Sequence, residues 1–146
     1  WSSDVCSSDL RQKTKKFRRD GAYLEVKIPT RLLPLFEKYK SNNDYLLNFA
    51  ERYQDSNCFN INVNSGLKPY CNYNGLPNVC IYNFRHSWAT IAQNNCGAST
   101  AEVGFALNHS SAHRVTEGYI KKDYSPISVL NEKVIACVFG GDEDLK

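Results

Sequence analysis

The chain has no run of eighteen consecutive apolar residues, so no segment reads as a membrane-spanning helix. No basic stretch followed by an apolar run opens it, and a secretory signal is not indicated. Six cysteines occur, Cys6, Cys58, Cys71, Cys80, Cys96 and Cys137, without a close pair or a repeated spacing. Zinc sites usually draw ligands from closely spaced pairs, so a structural metal is not indicated either. Buried thiols in a reducing cytosol suit this scatter better than a disulfide framework.

What is present is ordinary globular composition: 146 residues, 42% hydrophobic and 23% charged, enough chain for one domain with its own core. The formal net charge is only +3, but it is unevenly spread. Lys13, Lys15, Lys16, Arg18 and Arg19 crowd residues 11–20, whereas Asp142, Glu143 and Asp144 make the end acidic. A local basic cluster suits phosphate contact, with Lys15, Lys16 and Arg18 as the candidates. On charge alone a solvated basic hairpin fits as well.

Residues 1–10 carry a short near-repeat, Ser-Ser-Asp-Val-Cys followed by Ser-Ser-Asp-Leu, without periodicity, and are expected to be a non-native or disordered leader. The domain is expected over 11–139, with an acidic tail at 140–146. Tyr23, Val26 and Ile28 between Gly21 and Pro29 predict a strand, and residues 11–16 a preceding strand and turn, together a hairpin with lysines at its tip. Thr30 is then placed as N-cap of a helix over Leu32, Leu33, Leu35, Phe36 and Tyr39, with Pro34 in its first turn. Residues 42–57 give no firm assignment. A helix over 57–73 follows from Phe59, Val63, Leu67 and Tyr70, weakened by Gly66 and Pro69 and ended by Gly75.

Phe84, Trp88, Ile91 and Ala92 share a helical face that Gly97 terminates. Ser99-Thr-Ala-Glu102 reads as a capping box for a helix through Leu107. A further helix is expected to include Val115 and Tyr119. Ile127, Leu130, Val134 and Val138 stripe a last helix that Gly140-Gly141 stops. The fold class expected is therefore mainly α with one small antiparallel β-hairpin.

Against this background stands a set of polar residues: Tyr82-x-x-Arg85-His86, then Leu107-Asn108-His109, then Tyr119, with Lys13 upstream. An arginine presents a planar fork of permanent charge that can hold two oxygens of a phosphodiester at once. A phenol can act as nucleophile, a lysine can protonate a leaving oxygen, and an imidazole can donate to a non-bridging oxygen. Each residue has a plainer explanation: a core ion pair for Arg85, a packed helix tyrosine for Tyr119, a capping role for His109. Metal-dependent nuclease chemistry is not indicated, since no paired carboxylates accompany the arginine and histidines.

At these residues the chain resembles the catalytic domain of the tyrosine recombinases, the phage and mobile-element integrases. Tyr82-Asn-Phe-Arg-His-Ser-Trp-Ala-Thr90 is similar to that family's His-x-x-Arg-His-[Ser/Thr]-[Phe/Trp]-Ala-[Thr/Ser]. Leu107-Asn-His-Ser-Ser111 is similar to its Leu-Gly-His-Ser-Ser, and Val115-Thr-Glu-Gly-Tyr119 to the segment ending in its nucleophile. Arg11-Gln-Lys-Thr14 with Val26-Lys-Ile-Pro29 looks like its lysine hairpin.

The resemblance covers about residues 11–139 and implies an N-terminally truncated tyrosine-recombinase catalytic domain. It further implies site-specific cleavage and rejoining of double-stranded DNA through a 3′-phosphotyrosyl link, with no cofactor and no metal. Tyr119 would be the nucleophile, with Tyr124 in reserve. Arg85 and His109 would stabilise the phosphate, and Lys13 would be the general acid, a role for which Lys15 and Lys16 compete. Tyr82 stands where the family has histidine; its phenol, with a pKa near ~10, suits positioning rather than proton transfer. His86 is expected to support the fold behind the site.

A cytoplasmic, nucleoid-associated homotetramer on DNA follows from the same resemblance, in which the last helix packs on a neighbouring protomer or on its own domain. The family's other arginine, on a helix before the lysine hairpin, has no counterpart in the sequence, so the chain as given is expected not to turn over alone. A DNA-binding or regulatory module of the same fold without the chemistry, and a type IB topoisomerase-like enzyme, are the alternatives.

Overall fold

The computed structural model describes residues 6–10, 23–43, 45–53, 55–109 and 122–140, with backbone only for 6–10 and 50. Among the described residues, five α-helices and one two-stranded antiparallel sheet make it mainly helical, as expected. The chain divides into two compact units, residues 1–33 with 90–146, and residues 34–89.

In the first unit, strand β1 (Cys6–Leu10) pairs with β2 (Tyr23–Lys27), in register from Cys6 opposite Lys27 to Leu10 opposite Tyr23. The β2 expectation holds, and β1 falls in the segment read as a non-native or disordered leader; the strand expected over 11–16 lies outside the described residues. The ladder explains why side-chain periodicity missed β1. An antiparallel pair is joined through backbone N–H and C=O groups, which any non-proline residue supplies. Residues 11–22 lie outside the described residues.

Beyond β2, Ile28 is 5% exposed and Pro29 is buried. Pro29, not Thr30, takes the N-cap place of a 3₁₀ turn over Thr30–Leu32, without a side-chain cap. Its ring fixes φ at a turn-ready value, −58° here, so no hydroxyl is needed to start the turn. Helix α1 (Leu33–Lys38) follows directly and carries Pro34 in its first turn, where the missing N–H costs nothing.

Later in this unit, the Ser99–Glu102 capping box opens a helix as predicted. Both reciprocal bonds form: Glu102 N–H donates to Ser99 Oγ at 3.2 Å, and Ser99 N–H to the Glu102 carboxylate at 2.7 Å. That helix, α4, spans Thr100–Ala106, and α5 (Ser125–Phe139) is the last described helix; α3 (Ile81–Asn94), whose first nine residues belong to the second unit, precedes α4. Ile127, Leu130 and Val134 on α5 are buried, 8% exposed or less, and α5 packs on β2 and against α4. The stripe is thus buried within its own chain, and withdrawing each such side chain from water contributes roughly 1.5–3 kcal/mol. Val138, expected on that stripe, is 52% exposed.

In the second unit, α2 (Ser56–Tyr73) agrees closely with its predicted span and runs unbroken through Gly66 and Pro69. Ser65 and Pro69 both face solvent, so water can serve the Ser65 carbonyl that the proline cannot. Asp55 caps the helix by accepting the Cys58 N–H at 2.8 Å. The unassigned region before it holds a 3₁₀ turn, Asn48–Glu51, and a bridge between Lys40 and Leu47. An aromatic chain organises it: Phe49 meets Tyr39 edge-on at 6.4 Å and stacks on Phe59 at 5.7 Å, which in turn meets Tyr53 at 5.5 Å. Buried Ser41 donates to the Glu51 carboxylate and accepts the Asn43 N–H.

Candidate functional site

Helix α3 carries the Tyr82, Arg85 and His86 group, and its start is fixed from α2. Ile81 N–H donates to Asn64 Oδ1 at 2.8 Å, a cap supplied seventeen residues upstream. Just before it, Cys80 N–H donates to Asn83 Oδ1 at 2.7 Å while Asn83 N–H donates back to the Cys80 carbonyl at 2.9 Å. The Cys80, Ile81 and Asn83 N–H groups at the helix start are therefore engaged, which holds Tyr82 and Arg85 on a rigid frame.

Half-buried Ile81, Arg85 and Trp88 and fully buried Ala92 recur at helical spacing and form the inward stripe of α3. Phe84, expected on that face, is 57% exposed. Arg85 takes the place one turn before Trp88 and is half-buried there. Tyr82 and His86, four residues apart, meet edge to face at 4.7 Å on the exposed side of the helix. His86 thus contacts Tyr82, one turn before it on the same helix.

His109 lies in the other unit, at the end of α4, where the chain closes in a Schellman motif. Asn108 N–H donates to the Phe105 carbonyl and His109 N–H to the Gly104 carbonyl, both at 2.9 Å. Asn108 is buried with φ at +55°, a left-handed conformation that asparagine tolerates better than other side-chain-bearing residues. The His109 side chain is exposed.

Tyr124 has a packing part. Its ring stacks on Phe105 at 5.9 Å and meets Tyr23 edge-on at 5.9 Å, and its hydroxyl donates to the Tyr23 carbonyl at 3.0 Å. Lys13, Tyr119, Lys15, Lys16 and Arg18, together with the helix expected around Val115, lie outside the described residues. The described site residues fall into two groups: Tyr82, Arg85 and His86 on α3, and Asn108 with His109 at the end of α4.

Beside these, a cleft of about 310 Å³ opens between α4, α5 and the Cys96–Ala98 turn, lined by Cys96, Phe105, Ile127, Glu102 and Lys133 among others. Glu102 is held below the ordinary glutamate range, first by the Ser99 hydroxyl and backbone N–H and then by the Lys133 charge. Among the described residues no group of three or more His, Cys, Asp and Glu gathers as a metal site, and no helix is long and apolar enough to cross a membrane.

No family model matches the chain, no curated protein matches it, and no solved structure matches it.

Sequence reasoning missed Asn64 and Asn83, whose caps on α3 became visible only with the fold. It also missed the conformational demand on Asn108. A signal for that existed, since asparagine is, after glycine, a residue that serves as the left-handed stop just past a helix.

Proposed function

We propose that this protein is a tyrosine-type site-specific DNA recombinase that cuts and rejoins double-stranded DNA through a 3′-phosphotyrosyl link. Tyr119 Oη gives up its proton to solvent and attacks the phosphorus, the bond to the 5′ oxygen breaks, and Lys13 supplies the proton that oxygen takes. Arg85 and His109 neutralise the charge that builds on the non-bridging oxygens, and the Tyr82 phenol orients groups beside them. The new phosphodiester keeps the bond energy, so the reverse attack by a 5′ hydroxyl reseals the strand without ATP. Lys15, Lys16 and Arg18 bind backbone phosphates, and a homotetramer assembles on nucleoid DNA.

The observation that carries the reading is the setting of Arg85. A permanent cation stands half-buried on an otherwise apolar stripe, on a helix whose first turn is pinned by Asn64 and Asn83. A preorganised donor of this kind is what a developing phosphate charge requires, and removing one typically costs on the order of 10²–10³ in rate.

The test is covalent capture. Protein expressed from its complete reading frame is mixed with nicked duplexes of randomised sequence, and the adduct is read by gel mobility and peptide mass. Capture that Tyr119→Phe and Arg85→Ala abolish, that Tyr124→Phe retains, and that EDTA leaves intact supports the proposal. Binding of duplex without any capture would instead support the accessory-module reading, which the phenol at position 82 favours. Relaxation of supercoils without recombinant products would point to topoisomerase-like chemistry.

A further inference from the structure

We infer that Asn108 is a positioning residue for His109, acting through its left-handed backbone. The inference rests on the reading of His109 as a phosphate donor. Asn108 is the sole non-glycine residue with positive φ among the described residues, at +55°. Two backbone hydrogen bonds on either side of that conformation, Asn108 to Phe105 and His109 to Gly104, decide where the His109 Cα stands.

The chain repeats the device elsewhere with glycine. At the end of α2, Gly75 has φ +63° and donates to the Asn72 carbonyl, while Leu76 donates to the Cys71 carbonyl at 2.8 Å. Glycine therefore supplies the same closure, whereas a residue with an ordinary Cβ is driven out of the left-handed region. Leaving it breaks both bonds at the end of α4 and swings the histidine backbone away from its fixed exit.

The experiment follows the NMR signal of the His109 ring, identified by its loss in His109→Gln, while mixed-sequence duplex DNA is added at low salt. Wild type and Asn108→Gly should show the same DNA-induced shift with the same apparent affinity. Asn108→Ala should respond about five-fold or more weakly. Should Asn108→Ala fail to fold, Asn108→Asp takes its place and is expected between alanine's loss and glycine's retention.

Equal losses in the glycine and alanine or aspartate variants overturn the inference, because they assign the role to the amide. An alanine variant that responds like wild type, or variants whose melting temperature falls while the His109 response does not, overturn it as well. A wild-type His109 that ignores bound DNA overturns the reading of His109 and this inference together. A responsive wild type with an unresponsive glycine variant overturns the inference alone.

Discussion

Arg31 lies over the ring of Phe139 at 5.2 Å and at the same time donates to its carbonyl oxygen at 3.0 Å. A second guanidinium nitrogen donates to the Gly140 carbonyl, also at 3.0 Å. The last carbonyls of a helix have no partner within it and carry the negative end of its dipole, so a two-pronged cation meets both needs. Replacing Arg31 with alanine is expected to lower stability by about 1–2 kcal/mol. Arg31→Lys, a single point charge without the fork, should recover only part of that loss. Urea denaturation measures both, and amide exchange should quicken first in the last turn of α5.

The cap that Asn64 lends to α3 gives a second expectation. Asn64→Ala removes the acceptor for Ile81 N–H and should cost about 1 kcal/mol, the usual loss for an N-cap. Because the cap stands one residue before Tyr82, the variant should also loosen the Tyr82–His86 contact. A change in the His86 ring signal, measured by NMR, would report it. An unchanged stability and an unchanged ring signal would show that the helix start holds itself.

Gly66 sits in the middle of α2, and an added Cβ would meet nothing within 4 Å. No close approach and no positive φ requires glycine there. Gly66→Ala is therefore expected to stabilise the protein by about 0.5–1 kcal/mol, chiefly by restricting the unfolded chain. A fall in the midpoint of urea unfolding would reveal a neighbour that a side chain disturbs.

Among the described residues, three carboxylates at helix starts contribute to the response to acid. Asp55 is lowered by the Cys58 N–H, Glu102 by the Ser99 hydroxyl and N–H, and Asp123 by the Ser125 N–H. Each is depressed by folding, so its contribution is present above the unfolded value, about 3.9 for aspartate and 4.3 for glutamate. It is lost as the pH falls through the lower folded value. Stability should drop on the acid side, and Glu102→Gln, which titrates nothing, should flatten that limb in unfolding curves taken from neutral pH downward.

Elements governed by local chemistry were legible in the sequence. The Ser99–Glu102 box, the glycine stops at 75, 97 and 140, the span of α2 and the buried stripe of Ile127, Leu130 and Val134 all follow from neighbours within a turn or two. Such signals depend on which side chains can reach the backbone beside them, and the sequence states that directly. The resemblance in the site likewise rests on residue types at fixed spacing.

Pairings between distant segments were decided only by tertiary structure. β1 at Cys6–Leu10 is held by a backbone ladder that leaves no mark on side-chain pattern. Arg85 turned inward where Phe84 was expected, and Arg31, Asn64 and Tyr124 found partners across the chain or in a neighbouring element. These outcomes depend on which surfaces meet after folding, and a hydrogen-bonding side chain carries no address for its partner until the surrounding elements have packed.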